Sequence, residues 1–161
     1  MRRLMIVLLM SFSLFFTACE NPGALVDEFI PVEQHHWIYQ NKIRVSVSIE
    51  NPAVSYHVYL NLRHTAAYRY SNIYLRIRQI NPDKTTKVFR KEYKLANPDG
   101  EWLGTGSGNL FSYQLPVYLN FRFPGKGTYI FELEQNMRDN PLKEISDVGL
   151  RVEVAGLKKS E

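Results

Sequence analysis

Cys19, the only cysteine of the 161-residue chain, is the residue best placed for covalent chemistry. It follows Thr17 and Ala18, which are small, and an apolar run that ends at Phe16. An ordinary signal peptidase needs small side chains one and three positions before its cut, and bulky Phe16 would occupy the outer position. Lipoprotein processing instead needs a cysteine at the first mature position. The sequence therefore predicts that Cys19 carries the acyl chains, although Phe16 stands where leucine is commonest.

Residues 1–18 are predicted to be a signal peptide of the lipoprotein type. They combine a basic start, Arg2-Arg3, with an apolar stretch that is shorter than the roughly 20 residues needed to cross a bilayer. The alternative is a plain secreted domain with one stray thiol. A single acyl chain holds a protein only weakly, whereas several chains on one cysteine anchor it stably.

Two histidines, His35 and His36, are the first place to look for a metal site. Adjacent residues of an extended chain point to opposite faces, so these two side chains do not share one ion. No other cysteine or histidine follows at a spacing typical of zinc sites. The sequence predicts no metal site and no cofactor other than the acyl chains of Cys19.

The glycine-rich stretch Gly104–Gly108 could suggest catalysis. A phosphate-binding loop needs Lys and then Ser or Thr after its glycines, and Asn109-Leu110-Phe111 follows here. A serine nucleophile elbow needs glycine two residues before the serine, where this chain has Thr105. The carboxylates show no acid/base spacing either. We predict a turn or mobile loop between strands, no enzymatic activity and no small-molecule substrate.

Charge gives a weaker indication. The chain carries 20 basic and 16 acidic side chains, a net +4 that falls to +2 once Arg2 and Arg3 leave with the signal. The remaining basic residues are scattered along the predicted strands, and nucleic-acid-binding proteins cluster theirs. The sequence predicts solvated charges and no nucleic-acid partner.

The elements that must position these residues are strands. Apolar side chains alternate with polar ones through six segments, and this period of two is typical of half-buried strands. The segments are 43–49, 56–62, 73–77, 115–123, 129–133 and 148–154, with 87–95 as a less regular seventh. Asn-Pro and Pro-Gly turns separate them. The predicted fold is an all-β antiparallel sandwich of about seven to eight strands, with a partly open barrel as the alternative.

Residues 19–31 are predicted to form a lipidated tether and residues 32–161 a single domain.

Four tyrosines differ from the other aromatic residues because alternation places several of them opposite the core: Tyr59, Tyr68, Tyr70 and Tyr74. Exposed tyrosine is typical of contact surfaces, since it has an apolar body and a polar tip. Stacking on sugars, packing on a protein and cross-strand pairing all remain open.

Several runs resemble the gliding-motility lipoprotein GldH family of the Bacteroidota. The runs are 59–65, 70–75, 96–106, 123–124 with 127–129, and 137–138 with 145–153, in the order that the family shows, together with the lipobox at Cys19. The resemblance implies a lipoprotein required for gliding and linked to type IX secretion in gliding species. It carries over no catalytic residue. The implied partners are other gliding or secretion proteins of the envelope, and the outer membrane, facing the periplasm, is favoured over the inner membrane.

The central run of this resemblance also indicates a candidate partner-binding loop. It contains Asn97, Pro98, Asp99, Gly100, Glu101, Trp102, Leu103 and Gly104. Asn-Pro-Asp-Gly favours a turn, and Trp102 and Leu103 supply apolar anchors. The alternative is that Trp102 closes one end of the sandwich. A carbohydrate-binding envelope lipoprotein is the second functional hypothesis.

Overall fold

The computed structural model describes residues 23–156, apart from the side chain of Ser107. Seven long strands dominate it: β4 (Ile43–Ile49), β5 (Tyr56–Thr65), β6 (Asn72–Ile80), β7 (Thr86–Lys94), β9 (Leu110–Phe121), β10 (Gly127–Gln135) and β12 (Ile145–Val154). Five short strands complete it: β1 (Ala24–Asp27), β2 (Ile30–Pro31), β3 (His36–Trp37), β8 (Thr105–Ser107) and β11 (Leu142–Lys143). One 3-10 turn spans Glu33–His35.

The strands form two antiparallel sheets. Sheet I has the order β1-β12-β5-β9-β8, with β2 also paired to β12, and sheet II has the order β4-β10-β6-β7. The short strands β3 and β11 make a separate ladder. The prediction of an antiparallel β-sandwich is confirmed, and the seven long strands coincide with the seven alternating segments of the sequence.

The core lies between the two sheets, as the alternation requires. Sheet I contributes Val58, Leu60 and Leu62 from β5, all fully buried. Sheet II contributes buried side chains such as Leu75 and Phe131, and most of the outward residues of β6 and β10 are charged or polar. Burial of these alternating apolar faces is what holds the sheets together.

The sandwich has two distinct ends. At the entry end, β1 begins with Ala24 opposite Glu153, and the connection from β9 to β10 crosses between the sheets. At the loop end, β7 stops at Lys94, β5 stops at Thr65 and β12 begins at Ile145. Antiparallel registers along β5 and β12 place these two ends at opposite extremes of the long strands.

The N-terminal segment joins the sheet earlier than the sequence indicated. Residues 24–31 were predicted to belong to a tether, yet β1 and β2 pair with β12 along the edge of sheet I. A four-residue strand with a register shift between Ala24 and Val26, and a separate two-residue strand, are too short to show a recognisable period, which is why the sequence pattern does not reveal them.

Strand β9 departs from its predicted facing. Leu119 was expected on the core face but is 56% exposed, because the register with β5 shifts twice between Pro116 and Phe121. Proline donates no backbone hydrogen bond, so Pro116 favours a bulge at this point. Each shift moves the following side chains to the other face.

Candidate functional site

The loop that joins β7 to β8 contains a tight turn, closed by a bridge between Ala96 and Trp102. Gly100 N–H donates to the Asn97 carbonyl at 3.0 Å, and Asn97 N–H donates to the Glu101 carbonyl at 2.8 Å. Pro98 fits the second position of this turn, and Gly100 has a φ of +92° that favours glycine. Asp99 adds a side-chain acceptor for Glu101 N–H at 3.1 Å. The sequence Asn-Pro-Asp-Gly therefore forms the turn it predicts.

Trp102 ties this hairpin to the core. Its ring lies 4.4 Å from the ring of His64, centroid to centroid, in an edge contact. It also contacts Phe111 at 5.8 Å and Tyr68 at 6.3 Å. The Trp102 side chain is half-buried. Trp102 therefore packs against side chains at the loop end of the sandwich.

His64 is the centre of this aromatic cluster and is fully buried. Its Nδ1 lies 2.8 Å from the Thr65 carbonyl oxygen, which can only accept, so Nδ1 carries the hydrogen. Its Nε2 lies 3.0 Å from the hydroxyl oxygen of Tyr113. That hydroxyl also lies 3.0 Å from the Leu95 carbonyl, at the base of the hairpin. The imidazole therefore connects the core of sheet I to the loop.

Burial sets the protonation behaviour of this cluster. Burial lowers the pKa of His64 below its ordinary value, against the opposing effect of the hydrogen bond to Thr65. Burial also raises the pKa of Tyr113 to about 12. Both side chains are consequently neutral at pH 7, and they form a hydrogen-bonded support rather than an acid/base pair open to a substrate.

The part of the loop that faces outward is small and mixed in character. Leu103 is 49% exposed, and Asp99 and Glu101 are exposed beside it. A hollow of about 690 Å³ lies on one side of the loop, next to Tyr70. A second hollow of about 490 Å³ lies on the other side, next to Phe29. The loop thus forms a rigid ridge with a depression on each flank.

Gly104 ends the ridge because no side chain fits there. A Cβ at this position would lie 2.6 Å from the ring of Tyr113 and 2.9 Å from the Ser112 carbonyl oxygen. The following stretch, interpreted from sequence as a turn or mobile loop, forms β8 and a tight connection to β9 through Gly108.

The other sequence candidates lie apart from this loop. His35 and His36 are both exposed, and no group of three or more metal-ligating side chains occurs within residues 23–156. Tyr68 is buried, so it is not among the tyrosines that lie opposite the core. The ring of Tyr74 is covered by the Arg90 guanidinium at 4.0 Å. Cys19 lies outside the described residues.

A second polar cluster holds the N-terminal strand on the outer face of sheet I. The buried guanidinium of Arg151 pairs with Asp27, and with Glu153 at 2.7 Å. The amide of Asn61, which is fully buried, donates to Asp27 at 2.8 Å and to the Glu28 carbonyl at 3.0 Å. This charged clamp, formed by Asp27, Asn61, Arg151 and Glu153, fixes β1 to the domain.

Comparison with known proteins identifies the chain. The family model described as GldH lipoprotein matches residues 24–152, from β1 through most of β12. The chain belongs to the GldH lipoprotein family. Membership in a lipoprotein family implies anchorage to a membrane of the cell envelope.

Two curated relatives of the GldH family match over most of their length. The chain is 29% identical over 147 residues to a protein of Christiangramia forsetii named gliding motility lipoprotein GldH homolog, covering 87% of this chain and 89% of the relative. It is 28% identical over 124 residues to gliding motility lipoprotein GldH of Flavobacterium johnsoniae, covering 73% and 77% respectively. No solved structure gives a significant match.

No helix within residues 23–156 is long and apolar enough to cross a bilayer.

His64 is the site residue that sequence reasoning missed. It occupies the position after Val58, Leu60 and Leu62 on the same face of β5, so its place in the core could be predicted from alternation. His64 contacts Trp102, which is 38 positions later in the sequence, and Tyr113, which is 49 positions later. A local sequence pattern cannot predict contacts over such separations.

Proposed function

We propose that the chain is a lipid-anchored accessory component of the gliding and type IX secretion apparatus. It acts by binding other envelope proteins and not by catalysis. The observation that supports this most directly is the opposite placement of the N-terminal strand and the candidate loop. The chain enters the sandwich at the entry end, and the ridge formed by residues 97–104 lies at the loop end.

Chain length defines how close the entry end lies to the membrane. Cys19 precedes Ala24 by five residues, which span at most about 17 Å when fully extended. Strand β12 has ten residues and is on the order of 33 Å long. An anchor at Cys19 therefore keeps the entry end near the lipid surface and directs the ridge away from it.

The ridge is suited to protein contact because it is already ordered. Its turn hydrogen bonds and the packing of Trp102 fix the backbone, so that docking costs little conformational entropy. Leu103 presents an apolar side chain at the tip, with Asp99 and Glu101 as a polar rim. An exposed apolar anchor within a polar rim is the usual arrangement of an interface centre.

Carbohydrate binding is the second candidate, and the hollow beside Tyr70 favours it. Aromatic rings of Tyr70 and Trp102 line this hollow together with the amides of Asn72 and Asn97. Rings and amides are suited to the faces and hydroxyl groups of sugars. Affinity on a glycan array that disappears in Tyr70→Ala would favour this function, whereas Tyr74 offers a face already covered by Arg90.

The test is a clean deletion in the source organism, complemented with wild type, Cys19→Ala, Leu103→Ser and Leu119→Ser. Leu119 is the matched control, because it is as exposed as Leu103 but lies towards the entry end. We expect secreted type IX cargo to stall in the deletion, and spreading on agar to stop if the host glides. Wild type and Leu119→Ser should restore both.

Cys19→Ala and Leu103→Ser should fail for different reasons. The first should leave the membrane fraction, and the second should remain there, folded, without its partner contact. If the deletion strain secreted cargo and moved normally, the proposed role would be wrong. If Leu103→Ser restored secretion and movement, the loop would have no part in the proposed role. We propose retention in the outer membrane, facing the periplasm, and recovery in the inner-membrane fraction alone would contradict this.

A further inference from the structure

The charges of the described chain are unevenly distributed in space. Residues 69–94, which contain β6 and β7, carry eight basic and two acidic side chains, a net +6. The rest of residues 23–156 carries eight basic and twelve acidic side chains, a net −4. Arg76 and Arg78 on β6 pair with Glu134 and Glu132 of β10, so the basic charge at the edge of sheet II is that of β7.

This edge is open within the described chain. β7 is the last strand of sheet II and pairs only with β6, so one side of its backbone has no strand partner among residues 23–156. It is nine residues long, and Val88 on its outward face is 46% exposed. An edge of this length with unpaired backbone groups can accept an additional strand.

The basic side chains along β7 are available to a partner. Lys87, Arg90 and Lys94 are exposed and take part in none of the ion pairs of the described chain. Arg90 lies over the ring of Tyr74, and Lys87 lies 5.2 Å from the ring of Tyr118. Rings hold these cations in place without neutralising them.

We propose that β7 binds an extended acidic segment of a partner protein, which adds a strand to sheet II. Backbone hydrogen bonds would supply the register. Carboxylates on the outer face of the added strand would pair with Arg90 and Lys94, and carboxylates on its inner face would pair with Lys87, which lies on the same face of β7 as Phe89. Lysines on a free edge also discourage uncontrolled pairing between sheets. A basic edge of this kind attracts an acidic strand and repels a basic strand.

The position of β7 favours a protein over the membrane surface, and this step rests on the proposed anchor at Cys19. β1 lies beside β4, at one edge of sheet II, whereas β7 is the opposite edge of that sheet. On the β7 side, Lys91 reaches across to the Pro116 carbonyl of β9 at 2.5 Å. An anchor attached through β1 turns the basic edge away from the attachment point.

The test uses the purified full-length lipoprotein in detergent and a labelled twelve-residue peptide of three Glu-Glu-Val-Val repeats with blocked ends, which presents carboxylates on both faces of an extended strand. Fluorescence anisotropy measures binding at low salt. The triple variant Lys87→Gln, Arg90→Gln, Lys94→Gln should bind roughly tenfold more weakly, since each exposed charge pair contributes a fraction of 1 kcal/mol to about 1 kcal/mol. The triple variant Arg122→Gln, Lys126→Gln, Lys143→Gln removes the same charge from exposed positions elsewhere and should change affinity less than twofold.

Two further ligands separate the alternatives. A peptide of the same sequence with every backbone nitrogen methylated keeps the charge but has no N–H to donate to β7, and we expect at least fivefold weaker binding. Equal binding of both peptides would overturn strand addition. If the two triple variants lost affinity for the peptide equally, net charge alone would explain the binding, and the assignment of the site to β7 would be overturned.

Soluble dihexanoyl-phosphatidylglycerol serves as the probe for an anionic headgroup. Binding of this lipid that needs Lys87, Arg90 and Lys94, without binding of the peptide, would overturn the proposal in favour of a membrane contact. These measurements do not depend on the deletion phenotype. A normal deletion strain with intact peptide binding would remove the proposed role while leaving this surface in place.

Discussion

The charged clamp on sheet I and the aromatic cluster at the loop end both fasten a short segment to the same β5 strand, but by different chemistry. At the clamp, Asp27 and the buried Arg151 attract each other across the sheet edge. At the loop end, rings surround His64, and the hydrogen bonds that reach it come from neutral groups. An ion pair depends on both of its members, whereas a ring cluster loses its contacts one by one. The two segments should therefore respond differently to mutation and to pH.

The largest effect is expected at the clamp. Arg151→Ala leaves Asp27 and Glu153 close together without their common cation, and we expect a loss on the order of 3 kcal/mol in the free energy of unfolding. Urea unfolding measures it. Arg122→Ala, at an exposed position, is the matched control and should change stability by less than about 0.5 kcal/mol. Similar small losses in the two variants would show that the clamp does not stabilise the fold.

A smaller effect is expected for the ring at the loop end. Trp102→Ala removes a half-buried side chain, and we expect a loss of roughly 2 kcal/mol, below the 3–5 kcal/mol of a fully buried tryptophan. Trp102→Phe should recover at least half of this loss because it keeps a ring against His64. Urea unfolding of the two variants at one pH gives the comparison. Equal losses in both would indicate that the ring contact is not what stabilises the loop.

The smallest effect is expected from pH, and it should appear at the loop end. The pKa of His64 is lowered in the folded protein, so the unfolded state takes up a proton more readily as the pH falls below about 6.5. Stability from the neutral imidazole is present above that pH and is lost below it, with a slope of at most about 1.4 kcal/mol per pH unit.

The measurement is urea unfolding of wild type and His64→Gln at pH 7.5, 6.5 and 5.5. The difference between the two proteins should narrow as the pH falls. A difference that stays constant would contradict a neutral buried imidazole. Arg151→Ala is measured in the same series. Because wild type and Arg151→Ala both keep His64, titration of His64 should not narrow the difference in stability between these two proteins.

The long strands could be predicted from sequence because their side chains alternate, and each of the seven segments forms a strand in the structure. The hairpin at residues 97–104 could be predicted for a related reason, since Asn-Pro-Asp-Gly specifies its own turn. Both signals are local.

The remaining features depend on contacts between distant residues. β1 and β2 gain their structure from pairing with β12, more than 100 residues later. The exposure of Leu119 follows from a bulge against β5, and the surroundings of His64 from residues on three other segments. The excess of positive charge in residues 69–94 can be counted from the sequence, but the position of β7 at an open edge of sheet II appears only in the structure.

The pairing of β1 with β12 has a mechanical consequence in the proposed anchored protein. Tension from the lipid reaches the fold at Ala24 and pulls β1 along its own axis. The backbone hydrogen bonds to β12 are perpendicular to that axis, so they share the load instead of opening one after another. The ion pair of Arg151 with Asp27 and the cation–π contact of Arg63 with Phe29 add further resistance along the same line. A pull between the membrane and a partner at the loop end would thus act in shear, the direction in which an edge strand resists detachment most strongly.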